Sequence, residues 1–291
     1  MDRPVVVLDG GLSTQLERHG ADFSGRLWTG KALLEKPDVV AQAHRDFVDA
    51  GATIISTASY QISRSGFIAE GMTAVDADLA LTRSVEIARA ATQGTDVKVA
   101  ASVGPYGATL HDGSEYRGNY GVDQATLEDY HRERIRVLAA AKPDYFAVET
   151  IPEITEAKAV VAVLAEYPDI PAWVSFSCGD DAHLVSGEDI EDAARAVAVL
   201  PQLVAIGMNC VPPENVAPLA SRIASVTDTP IIGYPNRGGV WDSATNTWSG
   251  QTPRTLAQWW PQWQAAGVSF VGGCCGHDAA AIAQLRDVLR R

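Results

Sequence analysis

No stretch of this 291-residue chain is apolar over the ~18 residues that a bilayer-spanning helix requires. No like-charged block is long enough to keep a segment from folding. Cysteine is scarce, at four, too few for a disulfide scaffold. No Gly-x-Gly-x-x-Gly follows the first apolar run, so the usual dinucleotide fingerprint is missing. None of the six histidines falls in a His-x-x-x-His metal pattern, and they are assigned no chemistry. An excess of positive charge is missing too: 23 basic residues against 36 acidic give −13, which argues against nucleic acid or an anionic membrane as a partner. After Met-Asp-Arg-Pro, the apolar run 5–8 is too short for a signal-peptide core, and the expectation is a cytoplasmic protein.

What is present is a 46% apolar composition, enough for a substantial core, arranged in a regular alternation. Short runs rich in Val, Ile, Ala and Phe occur at 5–9, 53–58, 98–103, 145–149, 172–177, 204–209, 231–234 and 269–272. They are almost continuously apolar, as parallel strands covered on both faces should be. Amphipathic helical patterns lie between them at 38–50, 76–92, 124–141, 154–167, 189–200, 214–225, 255–266 and 278–290, with Asp123 and Asp278 as caps. The helix-to-strand connections are short, whereas several strand-to-helix connections (10–37, 59–75, 104–122, 235–253) are long. Long loops on one side only predict a (β/α)8 TIM-type barrel with its active site at the C-terminal rim. An open doubly wound sheet is the rival. No linker or repeat divides residues 1–291, so one domain is expected.

Polar residues gather at the strand ends: Asp9, Ser59, Tyr60, Ser102, Glu149, Thr150, Cys178, Asn209, Cys210, Tyr234, Asn236, Cys274 and Cys275. Cys210 ends the sixth strand, and the adjacent Cys274 and Cys275 end the eighth, two strands away. Three thiolates with an open fourth position suit a catalytic zinc site. Successive strand residues face opposite ways, so both vicinal thiols reach one ion only if the strand breaks, as Gly272, Gly273 and Gly276 allow. The helix starting near residue 278 would bring its N-terminus toward the thiolates. Cysteine is also commonly buried as a small inert hydrophobe. Cys178 is left as a core or rim residue, since a fourth sulfur would close the site.

Asp9 and Glu149 are expensive to bury unless they meet a cation. An amino-acid ligand offers them its ammonium group, and the backbone amides of Gly10, Gly11 and Leu12 could take its carboxylate. A turn cap for Asp9 and an arginine partner for Glu149 are the alternatives. Trp28, Tyr60, Phe67, Tyr106 and Tyr116 fall in the long loops, either as a cation–π wall or as loop packing. Trp259, Trp260 and Trp263 should pack the seventh helix on the barrel.

The segments Leu8-Asp-Gly-Gly-Leu12, Thr57-Ala-Ser-Tyr-Gln61, Ser102-Val-Gly-Pro-Tyr-Gly107, Asp112-Gly-Ser-Glu-Tyr-Arg-Gly118, Glu149-Thr-Ile-Pro152, Gly207-Met-Asn-Cys210, Tyr234-Pro-Asn236 and Gly272-Gly-Cys-Cys-Gly276 carry a resemblance nearly from end to end. Taken together they resemble the zinc-dependent homocysteine S-methyltransferases, in particular the branch using S-methylmethionine. The resemblance implies a (β/α)8 barrel with Zn2+ on Cys210, Cys274 and Cys275. It implies L-homocysteine bound through Asp9 and Glu149, with Gly10, Gly11, Leu12 and Asn209 nearby. It places Tyr60 near the metal, and Trp28 at the position of an aromatic of the methyl-donor pocket. The expected reaction moves a methyl group from a sulfonium donor, S-methylmethionine or S-adenosylmethionine, to homocysteine, giving L-methionine. Betaine or selenohomocysteine on the same site is the alternative, as is a structural or redox zinc–thiolate barrel without enzymatic activity. The assembly expected is a monomer or a small homo-oligomer.

Overall fold

The computed structural model describes residues 4–20, 27–110, 112–242, 247–249 and 252–290. Its strands are β1 (Val6–Val7), β2 (Ile54–Ser56), β3 (Lys98–Val103), β4 (Tyr145–Ile151), β5 (Ala172–Phe176), β6 (Leu203–Asn209), β7 (Ile231–Tyr234), a hairpin of β8 (Val240–Asp242) with β9 (Thr247–Ser249), and β10 (Val268–Val271). Apart from the hairpin, they form one eight-stranded sheet in the order β1-β10-β7-β6-β5-β4-β3-β2. Every pairing within it is parallel. A bridge between Leu8 and Ile54 brings β1 against β2. Thr53 tightens that seam, its amide and hydroxyl both donating to the Val7 carbonyl at 2.7 and 2.9 Å. Eight parallel strands in a nearly closed barrel with intervening helices are the expected TIM-type fold.

The helices among the described residues are α1 (Leu12–Arg18), α2 (Trp28–Glu35), α3 (Pro37–Ala50), α4 (Arg64–Ala69), α5 (Ala74–Ala91), α6 (Gln124–Ala140), α7 (Ile154–Leu164), α8 (Ile190–Val197), α9 (Pro213–Ala224), α10 (Leu256–Ala265) and α11 (Ala279–Leu289). Asp123 and Asp278 cap α6 and α11 by accepting from the amides of Thr126 and Ala281. The helix expected from residue 76 starts at Ala74. Asp76 is instead the third helical residue of a capping box with Thr73. Among the described residues, no helix is long and apolar enough to cross a membrane.

The long loops carry structure that a reading of strand and helix periods passed over. The connection after β1 holds α1 and α2, that after β2 holds α4, that after β3 holds two 3-10 turns (Tyr106–Thr109 and Ser114–Tyr116), and that after β7 holds the β8–β9 hairpin. These pieces are too short for a period to show, but Leu16, Leu33 and Phe67 anchor them in the core.

Inside the barrel, Leu8, Ile54, Ala100, Ala147, Trp173, Ala205, Ile232 and Tyr234 form an inner cluster. The alanines of β3, β4 and β6 leave room for the Trp173 indole, which donates to the Tyr234 hydroxyl at 3.2 Å. The floor is therefore filled, as barrel interiors are. Side chains repeat every two residues along a strand. The next inward layer is Ser56, Ser102, Glu149, Ser175, Gly207 and Tyr234. One step toward the C-terminal rim, an apolar plug becomes a polar floor.

Candidate functional site

That polar floor is internally hydrogen-bonded. Glu149 accepts from Ser102 Oγ on one oxygen and from the Tyr234 hydroxyl on the other, the latter at 3.1 Å. Asp9, just past β1, accepts the Ser56 amide at 2.6 Å. Burial pushes the Asp9 carboxyl up to about 8, opposed by the Ser56 amide and reinforced by the nearby charge of Glu149. Burial likewise pushes Glu149 up to about 7, against the hydrogen bonds from Ser102 and Tyr234. No arginine pairs with Glu149 among these contacts. Two desolvated carboxyls sharing one cavity with their charges in mutual contact form a pocket for a cationic group.

The thiols sit beside them. Strand β10 ends at Val271, so Cys274 and Cys275 both leave from a loop and point the same way. Gly276 takes the positive φ, 83°, that turns this loop. Four backbone bonds hold it: Gly273 to the Asp9 carbonyl, Cys274 to the Pro235 carbonyl, Gly276 to Thr14 Oγ1, and Arg237 to the Cys275 carbonyl. Gly10 and Gly11 press against its other side. A side chain at Gly11 would stand 2.7 Å from the Cys274 carbonyl, and one at Gly10 would strike the His277 carbonyl.

Cys210 comes from the end of β6 with φ 52°, in the left-handed region. Its amide donates to the Tyr234 carbonyl at 3.1 Å, and its carbonyl accepts from Asn236 Nδ2 at 2.9 Å. The result is a group of three sulfurs all within 4.8 Å of one another. Cys210 and Cys275 are 3.6 Å apart, and Cys274 and Cys275 are 3.9 Å apart. Zinc–sulfur bonds of ~2.3 Å in a tetrahedron place sulfurs about 3.8 Å apart, so the donor set fits such an ion. Hydrogen bonds from Cys274 and Cys275 hold the Cys210 thiol well below the ordinary thiol range, and the same hydrogen bonding with Cys210 raises the other two thiols, with burial and the Cys210 charge adding to it.

The other expected residues divide. Tyr60 lies at this cluster, its hydroxyl bonded to Thr150 and its ring near Cys210, Glu115 and Glu149. Tyr116 reaches it as well, with its hydroxyl 3.5 Å from Cys210 Sγ. Phe67 and Tyr106 do not: Phe67 is buried against Gly30, and Tyr106 packs edge-on against Tyr120 and Tyr130. The side chain of Trp28 lies outside the described residues. Trp260 and Trp263 pack α10 onto the barrel as expected. Cys178 sits in the apolar core, apart from the three sulfurs.

The Asn209 side chain is bonded into the polar floor through Ser175. It accepts from the Thr150 amide and Ser175 Oγ and donates to Thr150 Oγ1, each at 2.7 Å, fixing Thr150 at φ 64°. The Gly11 amide is spent on the His277 carbonyl at 2.8 Å. The N-terminus of α11 serves no thiolate in this arrangement: Gln15 Oε1 takes the Ala279 amide and Asp278 takes that of Ala281.

One buried cation organises the loops after β2 and β3. Arg134 of α6 is 1% exposed. It donates to the carbonyls of Gly104, Ser59 and Tyr60 at 2.8, 3.1 and 2.6 Å, and to the Tyr130 hydroxyl at 2.7 Å. Glu156, fully buried on α7, takes the Tyr106 amide, His131 Nε2 at 2.8 Å and the Tyr120 hydroxyl at 3.0 Å. Neither residue is visible to a reading of strand ends, because both project from helices.

The whole of this architecture has known counterparts. The family model described as homocysteine S-methyltransferase matches residues 6–289. A homocysteine S-methyltransferase of Escherichia coli strain K12 is 39% identical over 97% of this chain and 94% of its own length. A selenocysteine Se-methyltransferase of Brassica oleracea var. italica is 41% identical over 93% of this chain and 84% of its own. The metallated crystal form of the E. coli homocysteine methyltransferase MmuM superimposes with a TM-score of 0.89, at 37% identity over 98% of this chain and 96% of that one. With the family model matched over residues 6–289 and 39% identity along nearly the whole length of such a relative, this chain is an enzyme of the homocysteine S-methyltransferase family.

Proposed function

We propose that the chain transfers a methyl group from a sulfonium donor, S-methylmethionine or S-adenosylmethionine, to L-homocysteine, giving L-methionine. The observation that carries this reading is the position of three mutually close sulfurs beside the buried Asp9–Glu149 pair. Cys210, Cys274 and Cys275 would hold zinc, which when bound supplies the Lewis acidity that lowers the pKa of an approaching thiol. Asp9 and Glu149 take the ammonium group of homocysteine, whose charge repays their desolvation. With the Gly11 amide engaged, Gly10 and Leu12 are the amides left for its carboxylate. Tyr60 and Tyr116 border the sulfurs, the Tyr116 hydroxyl 3.5 Å from Cys210 Sγ.

The chemistry balances without a general acid. The acceptor sulfur, its proton lost to solvent, forms the new bond to the methyl carbon. The old carbon–sulfur bond breaks with its electron pair on the donor sulfur, which leaves as a neutral thioether. The protein's main contribution is alignment of the two sulfurs about the methyl carbon.

A second reading has its own support: the Brassica relative is named for selenocysteine, so a selenol acceptor is proposed alongside the thiol. The test is methionine formation by the purified zinc-loaded protein with each sulfonium donor. X-ray absorption at the zinc edge with and without homocysteine should show one sulfur ligand gained. Absence of methionine with every sulfonium and betaine donor would remove the proposal.

A further inference from the structure

The site contains a third carboxylate that the acceptor does not need. Glu115 sits in the 3-10 turn Ser114–Tyr116. Ser177 Oγ holds its carbonyl at 3.2 Å, and its amide packs on Gly107 so closely that a side chain there would collide with it. The turn is therefore fixed from two sides. Among the described residues, Glu115 Oε2 is the one buried carboxylate oxygen with no hydrogen-bond partner. The contrast with Glu156 is sharp, since protein donors satisfy both of that residue's oxygens. The neighbouring cation Arg117 is mostly exposed and pairs at 3.4 Å with Asp112.

The surroundings of that oxygen say what it awaits. Of the charges that act on Tyr60, that of Glu115 is the largest, and Cys210 acts on Glu115 in turn. The Tyr116 hydroxyl lies 3.5 Å from Cys210 Sγ, and Cys210 also acts on Tyr60. The charge of Glu149 acts on Asp9, and Glu115 is not among the main charges that act on either of them. The mouth thus holds the carboxyls of Asp9 and Glu149 and, near Tyr60 and Cys210, a third carboxylate that stands apart from them. A buried, unpaired carboxylate flanked by aromatic rings suits a compact cation.

We infer that Glu115 is a specificity-determining residue that recognises the sulfonium centre of the methyl donor, with the rings of Tyr60 and Tyr116 completing the subsite. This rests on the proposed function and deepens it. The consequence is directional. Methyl transfer discharges the sulfonium, so the attraction holds the donor and releases the neutral thioether. Because that charge is already fading in the transition state, Glu115 contributes to donor binding and not to the chemical step.

The test uses the zinc-loaded full chain as wild type, E115Q and E115D. Two probes that need no turnover are titrated by calorimetry: the dimethyl(propyl)sulfonium cation and its neutral counterpart, methyl propyl sulfide. E115Q should weaken binding of the cation about tenfold or more and leave the neutral sulfide unchanged, and E115D should recover part of the loss. In turnover, the donor KM should rise by a similar factor, with kcat, homocysteine KM and zinc content within about twofold of wild type. Equal cation binding by wild type and E115Q, or no cation binding by wild type, overturns the inference. So does an equal loss for cation, sulfide and homocysteine, which marks a merely structural role. Sulfonium binding that depends on Glu115 without methionine formation would uphold the subsite and sink the proposed reaction, so the two readings fail separately.

Discussion

The two sides of the barrel mouth are built on opposite rules. On the carboxylate side, Asp9 follows β1 and Glu149 lies within β4, and each is held by protein donors: the Ser56 amide for one, Ser102 and Tyr234 for the other. On the sulfur side, Cys210 has left-handed backbone, Cys274 and Cys275 ride a glycine-bent loop, and the sulfurs have chiefly each other. The first side is complete as a protein structure and is tuned by burial. The second is a donor set whose spacing fits an ion. A fold of this kind can fix the position of an acid with hydrogen bonds alone, whereas convergent thiols are secured by the loops behind them.

The difference predicts unequal responses to mutation. Replacing Cys210, Cys274 or Cys275 by Ser should remove zinc and cut activity by about 10³-fold or more, with the barrel's circular dichroism intact. Chelation should do the same to wild type, and added zinc should restore it; measured zinc content tracks both. Full activity in any of the three serine variants would erase the distinction between the sides. Next in size, Glu149→Gln should raise the homocysteine KM about 10- to 100-fold, as loss of a charged hydrogen bond implies, without loss of zinc. Zinc loss in that variant would mean that the two sides are one unit.

The third response is to pH. Asp9 has a folded carboxyl near 8 against an ordinary 3.8. The unfolded chain ionises at the lower value, so folding takes up a proton between the two. The Asp9 contribution to stability should then fall as pH rises from about 4 to about 8, alongside that of Glu149. Asp9→Asn removes its share of that slope and should melt higher than wild type at pH 8 but not at pH 4, by calorimetry. Wild-type stability flat across that window would show that the acid is solvated. Smallest of all, Asp278→Ala removes the cap of α11 behind the sulfur loop. It should cost ~1 kcal/mol, about 2 °C in Tm, and leave zinc content alone.

How much of this could be read from the chain follows from which elements carry a pattern. All eight barrel strands show as continuous apolar runs because both of their faces are covered. The thiol site shows because adjacent cysteines between glycines are an unusual local arrangement. Asn209 has a structural task that its place at a strand end does not announce. At the end of β4 the pairing shifts register between Val148 and Ile151, and Thr150 turns to positive φ. Asn209 at the end of β6 binds that irregular backbone and, through Ser175, the polar floor. Glu115 lies within a motif segment quoted from the sequence, yet nothing in the spacing of a surface turn says that one of its acids folds inward. Arg134 and Glu156 belong to helices whose periodicity marks them only as core-facing.

Arg134 has a mechanical consequence. One guanidinium grips Ser59 and Tyr60 after the second strand and Gly104 after the third. If either segment moved away alone, the buried cation would lose one or two of its four acceptors, at a cost of several kcal/mol. The two segments are therefore coupled, and displacing one without the other carries that penalty.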